Sequence, residues 1–205
     1  MGLISNGSTI FDNGSMASGF GGNMVFIKKL TASSSATLSF IHGTADVVLD
    51  STYKEYLFTI NNVHPSATGE VNFMFNFTTD GTNFNVTKTG SMFEALHNEA
   101  DSITLLRYGP SSGGLAQGTG DSLLMGDIMR DADGSGVCMF RLFNPASTTF
   151  VKHYIANIQY THNSARSYNR YAGGYANTTS PILGIRFKMN TGNIDAGDIC
   201  LYGIA

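Results

Sequence analysis

The run Glu70–Thr78 places Val71, Phe73, Phe75 and Phe77 at every second position, with Asn72, Met74, Asn76 and Thr78 between them. Successive side chains of a strand point to opposite faces, so this alternation predicts a half-buried antiparallel strand whose aromatic face lines a core. Weaker runs of the same kind recur at Met24–Thr31, Ala36–His42, Lys54–Asn62, Phe84–Thr89, Ser91–His97 and Ile103–Tyr108. They continue at Ser122–Met129, Val137–Asn144, Thr149–Tyr160, Leu183–Met189 and Ile199–Ile204. Turn chemistry separates several of them: Ser33–Ser35, His64-Pro65-Ser66, and Asp80-Gly81, where Pro fixes φ and Asp-Gly supplies a positive φ.

Charged residues make up 13% of the chain, well under the roughly 25% of a typical soluble domain. Glycine (24 residues), Asn, Ser and Thr fill the shortfall, which argues against long helices and for many short strands joined by turns. The expected fold is therefore all-β, an antiparallel jelly-roll-like β-sandwich formed by residues 24–205 as one domain. Residues 1–23 are too rich in Gly, Ser and Asn to build a core of their own. Their isolated apolar side chains, Leu3, Ile4, Ile10, Phe11 and Phe20, fit an extended N-terminal arm that docks on its own domain or on a partner subunit, or a free tail.

A net charge of -3 leaves no basic surplus for a phosphate backbone, which argues against nucleic acid as a partner. The first residues, Met1-Gly2-Leu3-Ile4-Ser5-Asn6, lack the basic and apolar regions of an export signal. No apolar run approaches the ~18 residues of a membrane span. The expectation is a protein made in the cytoplasm without membrane insertion.

Chemistry-bearing residues are scattered. Cys138 and Cys200 sit singly in apolar runs and read as two buried thiols or as a disulfide between neighbouring strands. His42, His64, His97, His153 and His162 form no zinc-type spacing. Glu94, Glu99, Asp101, Asp195 and Asp198 show no spacing that favours a glycosidase pair over surface carboxylates. Asp131, Asp133 and Ser135 resemble the opening of a calcium loop, but Leu142 stands where the bidentate Glu is required, and a hairpin turn explains the same residues. No nucleophile elbow or phosphate loop is present, so neither an enzyme nor a cofactor is expected.

Two stretches read as irregular. Gly109–Asp121 is a Gly and Ser loop, and Thr161–Ser180 sets Arg166, Tyr168, Arg170, Tyr171 and Tyr175 among Asn and Gly. Tyrosines with adaptable polar neighbours compose a contact surface for another subunit, for a glycan or receptor, or for anchoring the loop itself.

Several segments also resemble a known family. Tyr56–Pro65 (YLFTINNVHP) followed by Val71–Phe84 (VNFMFNFTTDGTNF), then His97–Asp101, Leu142–His153 and the C-terminal Ile185–Ile204, are similar in kind and order to segments of structural proteins of tailed bacteriophages, marine ones in particular. The likeness spans most of residues 24–204. It implies a virion component of the capsid decoration, head fibre or tail-fibre-tip kind, with a jelly-roll-like sandwich and no catalytic residues. A chain with a short arm before one domain fits a decoration (cement) protein on the major capsid protein, as a homotrimer. A tail-fibre protein contacting a host surface glycan is the alternative.

Overall fold

The computed structural model describes residues 23–110 and 114–205 in full, and three N-terminal strands as backbone. Every helix or strand among the described residues is a strand: β1 (Leu3–Ser5), β2 (Ser8–Asp12), β3 (Ser15–Met16), β4 (Met24–Thr31), β5 (Leu38–Ile41), β6 (Glu55–Pro65), β7 (Phe73–Thr78) and β8 (Lys88–Asn98). They are followed by β9 (Thr104–Tyr108), β10 (Ser122–Met125), β11 (Gly136–Phe143), β12 (Lys152–His162), β13 (Arg166–Ala176), β14 (Gly184–Met189) and β15 (Ile194–Ile204).

Two antiparallel sheets of unequal width form a β-sandwich. The wide sheet has eight strands in the order β4-β15-β6-β11-β12-β13-β8-β9, and the narrow one four, β10-β7-β14-β5. The aromatic face read from Glu70–Thr78 closes the space between them: Phe73, Phe75 and Phe77 are all buried. Phe75 meets Phe140 of β11 edge-on at 4.8 Å and Tyr154 of β12 at 5.1 Å, while Phe187 of β14 meets Phe58 of β6 at 5.8 Å. Edge-on pairs of this kind join the sheets through ring quadrupoles as well as through burial. What the structure supports of the expected jelly-roll-like fold is the two-sheet sandwich.

The arm carries backbone pairing of its own, β1-β2-β3 in antiparallel order. Leu3, Ile4, Ile10 and Phe11 fall on β1 and β2, whose side chains lie outside the described residues, as does Phe20 altogether.

Two strand expectations and one loop expectation need correction. Phe84–Val86 is not a strand, because the chain leaving the Asp80-Gly81 turn touches β7 through a single long bond, Val86 N–H to Phe77 O at 3.5 Å, and joins the wide sheet only at Lys88. Ser122–Met129 stops at Met125, since Asp127 has φ +46° and turns the chain out of the ladder. The expected Thr161–Ser180 loop is largely a hairpin, taken up below.

Lys88 lies wholly inside, where its ammonium donates to Asn76 Oδ1 at 2.5 Å and to the Val86 carbonyl at 2.9 Å. Burial lowers its pKa from 10.5 to about 8, against the pull of Asp121. Between those values the unfolded chain holds a proton that the folded chain has released, so stability rises with pH across that window. Wild-type protein is expected to gain roughly 2 kcal/mol between pH 7.5 and 9.5 relative to Lys88→Met. Urea titrations at the two pH values check this, and parallel pH dependence in the two proteins would contradict it.

Candidate assembly surface

The wide sheet presents one face to the narrow sheet and turns the other outward. Cross-strand partners share a face, so the register defines the outer surface row by row. One row runs unbroken across all eight strands: Tyr108, Phe93, Tyr171, Asn157, Met139, Thr59, Cys200 and Lys29. The adjacent row runs Ser91, Gly173, Ile155, Arg141, Leu57, Tyr202 and Phe26. Phe93 and Tyr171 stack at 5.1 Å, and Phe26 meets Tyr202 edge-on at 5.7 Å.

Large apolar side chains stand open along these rows. Phe93, Met139, Ile155 and Phe26 are each at least half exposed, at 50%, 50%, 53% and 57%. The two ionised side chains on them are already neutralised, Arg141 by Glu55 at 2.6 Å and Lys29 by Asp198 at 2.8 Å. Eight strands about 4.8 Å apart and on average about ten residues long span an outer face of about 1,200 Å², polar and apolar positions together. That exceeds the roughly 800 Å² per partner of a stable protein interface. Phe93, Met139, Ile155 and Phe26 stand exposed on that face among polar positions such as Asn157 and Thr59, which makes it a candidate contact surface.

At one end of the face, Gly90, Gly173 and Gly174 floor a shallow hollow of about 500 Å³ walled by His153, Ile155 and Tyr175. A Cβ at Gly174 would stand 2.4 Å from the Thr89 carbonyl oxygen and 2.6 Å from Tyr154 Oη, so glycine is what allows β8, β12 and β13 to close there.

The residues expected on one irregular loop are divided between the two sides of the wide sheet. Arg166–Ala176 is β13, paired along its length with β12 and β8. Tyr171 and Tyr175 belong to the outer surface, whereas Tyr168 and Arg170 point inward and are buried. The physical reason for the difference is a buried ion pair. Arg170 Nε donates to Glu94 at 2.5 Å, and the guanidinium lies over the rings of Tyr160 at 5.1 Å and Tyr168 at 5.4 Å. Glu94 is fully buried and accepts a second bond from Arg107 Nε at 2.7 Å. An arginine at an inward position breaks the apolar alternation by which strands are recognised, yet here it has a carboxylate and two aromatic faces to satisfy it. Arg166 opens the strand, half-buried, opposite His162 and Asn98.

The remaining candidates do not converge. Asp131 and Asp133 are exposed in the turn before β11, where Gly134 N–H bonds to the Asp131 carbonyl at 2.7 Å and Ser135 N–H to Thr161 Oγ1 at 3.1 Å. Among the described residues no group of three or more His, Cys, Asp or Glu could hold a metal. Glu94 is occupied by two arginines, and Asp198 by Lys29 and Thr31. A disulfide is excluded: Cys138 faces the core, where burial pushes its thiol up, whereas Cys200 lies on the outer rows. Two strand positions of opposite facing cannot bring their sulfurs together.

Comparison with protein-family models, with curated proteins and with solved structures gave no match.

Proposed function

We propose that this chain is a non-enzymatic structural protein of a phage particle, a capsid decoration protein that seats the outer face of its wide sheet against neighbouring virion proteins, the major capsid protein among them. The observation that supports it best is that face: broad, with Phe93, Met139, Ile155 and Phe26 exposed on it, and free of unpaired charge along these two rows. A small-molecule enzyme concentrates its polar groups in a concave site. Here the apolar groups spread over a surface instead. The segment likeness in residues 24–204 is what supports a virion as the setting of that surface.

A second location, on a tail fibre that contacts a host glycan, draws support from the glycine-floored hollow beside Tyr175 and His153, where a sugar ring would stack. The two locations differ in stoichiometry. Quantitative mass spectrometry of purified particles is expected to find copies comparable in number to the shell protein, and a handful per particle would move the chain to the tail. In parallel, Phe93→Asp/Met139→Asp is expected to stay within about 1 kcal/mol of wild-type stability, because both sites are exposed. The same variant should lose retention on heads by about tenfold or more in a sedimentation assay. Wild-type retention by this variant would remove the outer face from the assembly.

A further inference from the structure

We propose that β9 is a self-complementary edge through which two copies of this chain pair antiparallel about a two-fold axis at Leu106, joining their wide sheets into one.

The wide sheet has two open edges, β4 and β9. Natural sheets defend an open edge with lysine, proline, a bulge or extreme shortness. β4 carries Lys28 and Lys29 and a register shift opposite Leu201/Tyr202. The narrow sheet's edges, β5 and β10, are four residues long. β9 has none of these chemical defences: it reads Thr-Leu-Leu-Arg-Tyr, pairs β8 without a shift, and exposes Leu105, Leu106 and Tyr108. Its one charge, Arg107, is spoken for by Glu94.

The hydrogen-bond phase of β9 fits a second copy of itself. Gly109 N–H bonds to Met92 O at 2.8 Å, and Ile103 O accepts from Asn98 N–H at 3.1 Å. In an antiparallel ladder, directly opposite residues alternate between bonded and non-bonded pairs. Residues 103, 105, 107 and 109 therefore direct their backbone groups to β8, and Thr104, Leu106 and Tyr108 direct theirs outward, where no described residue pairs them. A two-fold at Leu106 sets Leu106 against its own copy and Thr104 against Tyr108 of the second chain. Every outward N–H and C=O then meets a partner in bonded phase. Arg107 meets Leu105 rather than another arginine, so no like charges oppose one another across the seam. The outer surfaces of the two sheets become continuous through Leu106 and Tyr108.

The pairing rests on the reading of the wide sheet as an assembly surface, and it fails separately from that reading. It also differs from the homotrimer expected of a short arm before one domain, because a strand that pairs with its own mate requires a two-fold axis. The test is sedimentation velocity over a concentration series, with amide hydrogen exchange on the same samples. The full chain is expected to form a species of twice its 21.9 kDa mass, with slowed exchange at Leu106 and Tyr108. Leu106→Pro removes an outward donor and leaves the β8 ladder intact, which an edge strand tolerates. It should weaken dimerisation by about tenfold or more. Leu106→Lys, which keeps the backbone donor but defends the edge, should do the same if the proline variant folds poorly. A monomer at all concentrations overturns the pairing. So does a dimer or trimer whose Leu106 and Tyr108 amides exchange freely; in that case copies associate through another surface, and the outer-face proposal stands.

Discussion

Glu94→Ala is expected to lower the unfolding free energy by about 3–5 kcal/mol, because it leaves Arg170 charged and buried without its partner. Arg170 is only 4% exposed, its guanidinium lies over Tyr160 and Tyr168, and its remaining contact is a long one, Nη1 to the Leu124 carbonyl at 3.4 Å. Arg107, half exposed, re-solvates at little cost, so the loss belongs to the inner pair. Removing both buried charges together should therefore cost much less than removing one. Glu94→Met/Arg170→Met is expected to recover most of the stability, as apolar replacements of buried ion pairs commonly do. Equilibrium urea unfolding of Glu94→Met, Arg170→Met and the double variant closes the cycle. A Glu94→Ala loss below about 1 kcal/mol would show that water reaches Arg170 and that the inner pair resembles a surface ion pair.

That ion pair also explains where the sequence was legible and where it was not. The alternation at Glu70–Thr78 led directly to the buried Phe73, Phe75 and Phe77, and most strands fall within a few residues of the runs read for them. β13 was missed because Tyr168 and Arg170 occupy its inward positions in place of aliphatic residues, and because Gly173 and Gly174 add no strand preference of their own. One signal was available. In Ser91–His97 the period of two sets Glu94 on the same face as Met92 and Leu96, and a carboxylate in a core requires a cation from elsewhere in the chain. Arg170, on a segment of matching length, was a candidate for that role.

The outer rows of the wide sheet were less legible than the core. Met139, Ile155, Phe93 and Phe26 lie on four different strands, and their meeting on the outer face follows from strand order and register, which local alternation does not encode. Tyr171 and Tyr175 were singled out as contact residues for their chemistry and do lie on that face, but Tyr168 does not. A variant that replaces all three tyrosines therefore mixes a surface change with a core change, since Tyr168 stacks on His162 at 4.7 Å and on Tyr160 at 5.3 Å.

Phe140→Ala separates core from surface most cleanly. The ring is fully buried on β11 and lies 4.8 Å from Phe75, 5.6 Å from Tyr154, 6.1 Å from Phe58 and 6.2 Å from Phe187, so it touches both sheets. Four rigid neighbours cannot collapse into the vacated space without leaving their own rotamers, so the cavity should persist. The expected cost is about 3–5 kcal/mol, or roughly 6–20 °C in Tm for a domain of this size. Phe140→Leu, which refills most of the volume, should cost less than half as much. Both neighbours of Phe140 along the strand, Met139 and Arg141, point outward with their surroundings unchanged. Below its lowered melting point, Phe140→Ala is therefore expected to associate as the wild type does, whereas Phe93→Asp/Met139→Asp should melt as the wild type does and associate poorly. Thermal melts and sedimentation on the two variants read this crossing directly. If both fell together in both assays, the outer rows would be part of the folding core, and an apolar face exposed in the isolated chain would no longer stand for a partner.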